Sequence, residues 1–285
     1  MTDDHSRPSA ADDLPSKLYL QLLKKCLTRD GFGPEYEPYR PRTGTLRWYL
    51  AWLARNLFFS HKVELIRAIS PDPRMREEGR GWPRDGETMI GLKRLDNLED
   101  CIMDVLRAQV PGDLIETGVW RGGAAIFMRA VLKAYRDTTR TVWAADSFQG
   151  LPKPDPGRYP ADAGDRHWVS PQLAVSLEQV QANFSRYGLL DDQVRFLVGW
   201  FRDTLPTVPS ERFAVIRLDG DMYESTMEAL QSLYPKLSIG GYAIIDDYGA
   251  VPACKAAVED FRAKHGILEK LETIDWTGVF WKRLH

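Results

Sequence analysis

The chain of 285 residues reads as an α/β protein: one parallel sheet of five strands, helices on its faces, and a hairpin at the C-terminal end. From Gly91 onward short apolar runs alternate with segments of helical period, and that alternation implies parallel strands joined by crossovers. Most of the runs are far enough apart in sequence to accommodate a helix. The last two meet at Asp275-Trp276-Thr277, which leaves room for a turn only and makes them a hairpin.

Before Gly91 the chain has a different style. Residues 1–16 are polar and acidic and are expected to form a disordered tail. Residues 17–84 are expected to be an N-terminal helical appendage used for lid or oligomer contacts. It holds an amphipathic segment at Lys17–Leu27, a Pro/Tyr-rich loop (GFGPEYEPYRP), an aromatic helix at Leu46–Phe59 and a loop beginning PDPRMREEGRG. Trp48, Tyr49, Trp52, Leu53 and Phe59 recur at helical spacing, so that helix is expected to be buried on the main domain or at a subunit interface, with a membrane surface as the alternative.

Residues 85–285 form the main domain. Leu92, Leu95, Leu98, Ile102, Val105 and Leu106 share one helical face, and Pro111-Gly112-Asp113 ends that helix before the first strand, Asp113–Thr117. Helix Gly122–Tyr135, strand Thr141–Ala145, a long Pro/Gly loop, helix Pro171–Tyr187 and strand Val194–Val198 follow. Strand Phe213–Leu218, helix Tyr223–Leu237, strand Tyr242–Ile245 and helix Pro252–Lys264 complete the alternation, and the hairpin runs are Leu268–Ile274 and Gly278–Arg283.

A composition of 44% hydrophobic and 27% charged residues excludes disordered, collagen-like and disulfide-scaffold classes. The 38 basic side chains nearly cancel the 40 acidic ones, so no global field attracts a nucleic acid, and none is expected as partner. Cys26, Cys101 and Cys254 lie far apart and fit neither a metal knuckle nor a disulfide framework, which points to the reducing cytoplasm. The N-terminus lacks the basic and apolar regions of a secretory signal. Leu46–Phe59 is shorter than the roughly 20 apolar residues of a membrane span and carries Arg47 and Arg55, so no span is expected.

In doubly wound sheets ligands sit beyond the carboxyl ends of the strands, so the residues just after each strand carry the function. The first strand ends in Glu116-Thr117-Gly118-Val119-Trp120-Arg121-Gly122-Gly123, whose glycines permit a tight turn and close approach of a ligand to the next helix. The spacing is G-x-x-x-G-G rather than the dinucleotide pattern G-x-G-x-x-G. The second strand runs into Asp146-Ser147-Phe148-Gln149, where an acid can accept hydrogen bonds from ribose hydroxyls or cap a turn. Turn and acid together indicate a nucleoside cofactor. After the third strand come Gly199-Trp200-Phe201, an aromatic pair that either flanks an adenine ring or packs in the core.

The sharpest feature is the pair of acidic turns Asp219-Gly220-Asp221 and Asp246-Asp247 at the next two strand ends. Neighbouring strands lie about 5 Å apart, so four carboxylates there repel one another unless a positive charge offsets them. Oxygen ligands with no nearby His or Cys point to Mg2+, or to Mn2+ or Ca2+, and this cation rather than a Lys or Arg is expected to balance the acids. The plainer reading, in which Asp221 caps the Tyr223 helix and Asp246 and Asp247 cap a turn, explains one carboxylate per loop but not two.

In order along the chain, GETMIG, LIETGVWRGG, ADSFQGLP, RLDGDMYEST and IIDDYG resemble the macrocin O-methyltransferase (TylF/MycF/NovP-type) family from about Asp85 to the C-terminus, and LYLQLLKKCLT is similar to its opening helix. A five-stranded parallel sheet with an added hairpin is likewise the class I methyltransferase (Rossmann-like) arrangement. The resemblance implies an enzyme dependent on Mg2+ and S-adenosylmethionine that methylates a sugar hydroxyl in antibiotic-type tailoring. Its substrate would be a small-molecule glycoside, and a homo-oligomer is expected.

By that resemblance Asp219, Asp246 and Asp247 would bind the metal, and Asp219 and Asp221 would be catalytic, Asp221 as general base or as a carboxylate behind the ligands. Glu116, Gly118, Asp146, Ser147 and Trp200 would surround the cofactor with the pair Thr88 and Met89. Thr117, Gly122, Phe148, Gln149, Gly199 and Phe201 sit in the same turns and join them. Methyl transfer is an in-line displacement that needs the acceptor oxygen within about 3–3.5 Å, and chelation of neighbouring hydroxyls by a metal would orient them. The long loop Lys153–Ser170 is expected to be a lid. Within it Trp168 could stack on a sugar ring and His167 could contact the acceptor, or His167 is an exposed loop residue without catalytic duty. A catechol-type O-methyltransferase is the nearest rival and would need a flat apolar slot. An NAD(P)-dependent oxidoreductase would leave the acidic turns idle, and a non-catalytic scaffold would tolerate their loss.

Overall fold

The computed structural model describes residues 14–58, 65–70 and 72–285, so residues 1–13 of the expected tail and Phe59 of the aromatic helix lie outside the described residues. Helix α1 (Leu14–Thr28) turns Leu20, Leu23 and Leu27 inward, where they join the apolar core of the main sheet. This helix therefore belongs physically with the sheet. Strand β1 (Glu35–Pro38), inside the stretch read as a Pro/Tyr loop, pairs antiparallel with β2 (Ile66–Ile69), and α2 (Leu46–Phe58) lies between them in sequence. Burial of the aromatic helix on the main domain, one of its expected roles, is not seen: Leu46, Tyr49, Leu50 and Trp52 remain exposed. The helix emerges from a two-stranded ribbon instead of crossing the sheet. A short helix α3 (Pro73–Glu78), capped by the Asp72 side chain, then leads to α4 (Leu92–Arg107).

The main sheet has the order β5 (Val194–Val198), β4 (Val142–Asp146), β3 (Asp113–Thr117), β6 (Phe213–Leu218), β7 (Leu237–Ile245), β9 (Val279–Lys282), β8 (Glu272–Thr273). The first five are parallel neighbours, and β9 and β8 add antiparallel at the β7 edge. β6 is buried along its whole length, as a central strand covered on both faces must be.

Alternation divides the two faces. Leu114, Ala144, Val215 and Ile244 face a layer built from α1, α4, α5 (Gly123–Ala134) and α6 (Leu177–Arg186). Ile115, Ala145, Ile216 and Ala243 face α8 (Tyr223–Leu233) and α9 (Pro252–His265), with the short α7 (Phe201–Thr204) at the strand ends.

Several boundaries differ from the sequence reading: α1 begins at Leu14, inside the stretch expected as a tail, and the helix expected over Tyr223–Leu237 ends at Leu233. The helix expected from Pro171 begins at Leu177, because the Ser176 side chain accepts the Gln179 N–H and caps it there, and Pro171–Leu173 forms a separate 3-10 turn. β7 starts five residues earlier than expected, with a register shift against β6 between Phe213 and Val215. The first hairpin strand shortens to Glu272–Thr273, since Leu268 is 92% exposed and has no surface to pack on. Among the described residues no helix is long and apolar enough to cross a membrane.

Candidate active site

The register of the sheet assembles the acidic turns. Leu218 pairs with Ile245, so Asp219 and Asp246 leave adjacent strand ends side by side. One carboxylate oxygen from each of Asp219, Asp246 and Asp247 lies within 4.8 Å of the others. Asp221 adopts a left-handed backbone (φ 55), unusual for a non-glycine residue, and its N–H donates to Asp247 Oδ2 at 3.1 Å. Its carboxylate does no capping work. The residue ahead of α8 is Met222, without a side-chain cap, and the Tyr223 and Glu224 N–H groups donate instead to Asp162, at 2.7 and 3.0 Å.

The expectation that a cation alone balances the acids is corrected by two buried arginines. Glu116 and Arg217 are register partners on β3 and β6, and Arg217 Nη1 donates to Glu116 Oε1 at 2.6 Å. The same guanidinium donates to Asp219 Oδ2 at 3.0 Å and to Asp246 Oδ1. Arg94, from α4, donates to the other Asp246 oxygen and to Asp275 at 2.9 Å. Burial works against the Arg217 charge, but Asp246, Asp219 and Glu116 outweigh it and raise its pKa.

Glu116, Asp219, Asp221, Asp246, Asp247 and Asp275 against Arg94 and Arg217 leave an acidic excess. Burial, reinforced by Asp246, holds Asp219 above the usual carboxylate range, and burial with the neighbouring aspartates does the same to Asp247. Burial also lifts Glu116 to about 8 in spite of its guanidinium partner. Three convergent carboxylates, two of them held above the usual carboxylate range, are a donor set that a hard divalent cation would relieve.

Beside this cluster a cleft of about 760 Å³ opens over the strand ends. Met89, Gly118, Asp146, Ser147, Gly199, Trp200 and Phe201 line it together with Asp219 and Asp221. Gly118 (φ 80) is forced by a close approach: a Cβ there would overlap the Asp219 carbonyl. Asp146 accepts the Val119 and Phe148 N–H groups, each at 2.7 Å, and lines the cleft. Phe201 both lines the cleft and packs on the second core.

The other sequence candidates stand outside its wall. Glu116 and Thr117 are buried below it, and Thr88 is buried with its hydroxyl accepting the Ile90 N–H. Gly122 faces Val180 and Phe184 of α6, Phe148 packs edge-on against Phe196, and Gln149 is exposed. The mixed lining of carboxylates, glycine backbone and aromatic rings suits a nucleoside-bearing cofactor.

The loop expected as a lid is fastened at two points. Asp162, 1% exposed, holds the amide end of α8, and the Trp120 indole N–H donates to the Gln172 carbonyl at 2.8 Å. Trp120 also lines a second groove together with Tyr36, Trp82 and Arg84. Sequence reasoning passed over Arg217, Arg94 and Asp162. A signal existed for the first, an arginine inside the otherwise apolar strand FAVIRL.

A family model described as macrocin-O-methyltransferase (TylF) matches residues 16–283. The chain is 60% identical over 213 residues to the 8-demethyl-8-(2,3-dimethoxy-alpha-L-rhamnosyl)-tetracenomycin-C 4'-O-methyltransferase of Streptomyces olivaceus, covering 74% of this chain and 81% of that protein. It is 49% identical over 272 residues to the demethyldecarbamoylnovobiocin O-methyltransferase of Streptomyces niveus, covering 94% of each. Among solved structures the O-methyltransferase NovP superposes with a TM-score of 0.80 at 46% identity, over 95% of this chain and 100% of that one.

Proposed function

The chain belongs to the macrocin-O-methyltransferase (TylF) family, and from that premise we propose that it transfers the methyl group of S-adenosylmethionine to a sugar hydroxyl of a glycosylated natural product, with Mg2+ on Asp219, Asp246 and Asp247. The observation that carries this reading is the convergence of those three carboxylates, of which Asp219 lines the cleft. When bound, S-adenosylmethionine supplies an electrophilic methyl and Mg2+ supplies Lewis acidity toward neighbouring hydroxyls.

The protein's own groups do the rest. Asp146 offers lone pairs to the ribose hydroxyls, Trp200 and Phe201 flank the base, and the bare backbone at Gly118 lets the ligand approach the strand ends. Arg217 and Arg94 fix the orientation of the Asp219 and Asp246 carboxylates, as groups behind a ligand set do. Asp221 faces the acceptor end of the cleft as a hydrogen-bonding carboxylate and candidate base. The similarity to a methyltransferase that acts on a rhamnosyl tetracenomycin favours a glycoside over a flat catechol. A reducing, cytoplasmic location and a homo-oligomer belong to the same reading.

The test is an assay by mass spectrometry with S-adenosylmethionine, Mg2+ and three acceptors: the rhamnosyl tetracenomycin, demethyldecarbamoylnovobiocin and catechol. Methylation of a glycoside, lost after EDTA and restored by Mg2+, is expected. Full activity after EDTA would remove the metal, and methylation of catechol alone would replace the substrate class.

Stability should report the same cation without any acceptor. Carboxylates whose folded pKa is raised bind more protons in the native than in the unfolded state, so metal-free stability falls as pH rises between about 4, where free carboxylates ionise, and about 7, where Asp219 does. Melting temperatures measured across that window should fall without metal and flatten with saturating Mg2+. Equal slopes in both conditions would argue against a cation on these groups.

A further inference from the structure

One face of α8 brings to the cleft two carboxylates that the reading above leaves unused. Glu224 and Ser225 stand four and three residues before Glu228, so the three share a helix face, and all line the cleft with Trp200, Phe201 and Arg202. Gly220 permits that close approach: a Cβ there would meet the Ser225 Cβ at 3.0 Å and the Phe201 ring at 3.5 Å. The two acids are placed differently. Glu224 is 5% exposed, its N–H is held by Asp162, and its carboxylate lies 3.9 Å from the Arg202 guanidinium. Glu228 is half-buried, and the Arg202 N–H, in the turn that carries Trp200 and Phe201, is directed at its carboxylate. That contact leaves lone pairs for a further donor. Burial and Glu224 push the Glu228 carboxyl up to about 7 against the pull of Arg202 and Arg158, so one more N–H would favour its ionised form.

We propose that Glu228 accepts a hydrogen bond from the exocyclic amino group of the adenine ring and so selects an adenine nucleoside at this cleft; this rests on the methyl-transfer reading above. Trp200 and Phe201 offer the base apolar contact, which does not tell one purine from another. An ionised carboxylate does tell them apart, because it only accepts. An amino group donates to it, whereas the keto oxygen of a hypoxanthine or guanine ring in the same place meets it lone pair to lone pair. Two acids of the cleft thus divide the nucleoside, Asp146 taking the ribose and Glu228 the base, while Asp219 and Asp221 serve the acceptor end. The contribution of Glu228 falls on cofactor affinity and on the identity of the base.

The experiment is calorimetry on the full chain with two probes, S-adenosylhomocysteine and its 6-deamino analogue, in which hydrogen replaces the amino group. The wild-type protein should bind the first about tenfold or more tighter, the usual range for a hydrogen bond to a charged group. In Glu228→Ala the two Kd values should agree within about twofold, since the analogue lacks only the donor that this carboxylate meets. Glu228→Gln keeps the shape and a neutral acceptor, and should give an intermediate ratio. A carboxylate that only steadied the Trp200–Phe201 turn would, when removed, weaken both probes alike and leave their ratio unchanged. A wild-type ratio in either variant, or a wild-type protein that binds the two probes equally, overturns this proposal alone. A wild-type protein that binds neither probe overturns the cofactor reading and this proposal together.

Discussion

Asp219→Asn and Asp247→Asn should each lower kcat by about a thousandfold, roughly 4 kcal/mol of transition-state stabilisation, while S-adenosylhomocysteine still binds by calorimetry. The amide keeps the shape of the side chain and removes the negative charge that a hard cation needs. Loss of Mg2+ binding in the same titration would tie the lost rate to the metal. The two variants should also part from Asp246→Asn in stability. Asp247 has aspartates and a backbone N–H as its neighbours, so neutralising it relieves repulsion and should raise the metal-free melting temperature at pH 8. Asp246 answers two guanidinium groups, Arg94 and Arg217, so its neutralisation should lower that temperature. If all three variants kept full turnover, the carboxylates would be structural and the proposed chemistry would fail.

Arg217→Met should destabilise the protein by about 3–5 kcal/mol, the usual consequence of removing one partner from a buried charge network. The side chain is 2% exposed and is shared by Glu116, Asp219 and Asp246; the first two would lose their nearest positive charge and Asp246 one of its two guanidinium partners. Urea unfolding of the metal-free protein gives the value directly, and saturating Mg2+ should recover part of the loss through Asp219 and Asp246. Arg217→Lys should help little, since a single ammonium cannot reproduce a planar fork that reaches three carboxylates. A loss below about 1 kcal/mol, the range of exposed ion pairs, would mean that the acids are compensated by other means.

Much of this site is visible before any folding. Apolar runs locate β3, β5 and β6 to the residue; β3 and β6 are central strands whose burial leaves their composition no freedom, and β5 is the half-buried edge strand VRFLV. The acidic pairs at Asp219 and Asp246 stand out because each directly follows such a run, and sheet topology alone then makes them neighbours. Less was visible in the N-terminal third. β1 and β2 have four residues each and an exposed or half-buried pattern, so no period marks them, and their pairing spans 31 positions from Glu35 to Ile66 with α2 between.

The sequence by itself therefore determined the doubly wound sheet, the hairpin edge and the turns at which chemistry gathers, since each is written in local period and composition. Tertiary structure decided the electrostatics. Arg217 meets Glu116 across 101 residues and Arg94 meets Asp246 across 152, and these contacts exist only once register and helix packing have been set. The same holds for Asp162, which caps α8 from 61 residues away in place of a local side chain. Spacing along a chain encodes which face a residue takes, whereas the charge it meets there depends on which other elements the fold brings to that face.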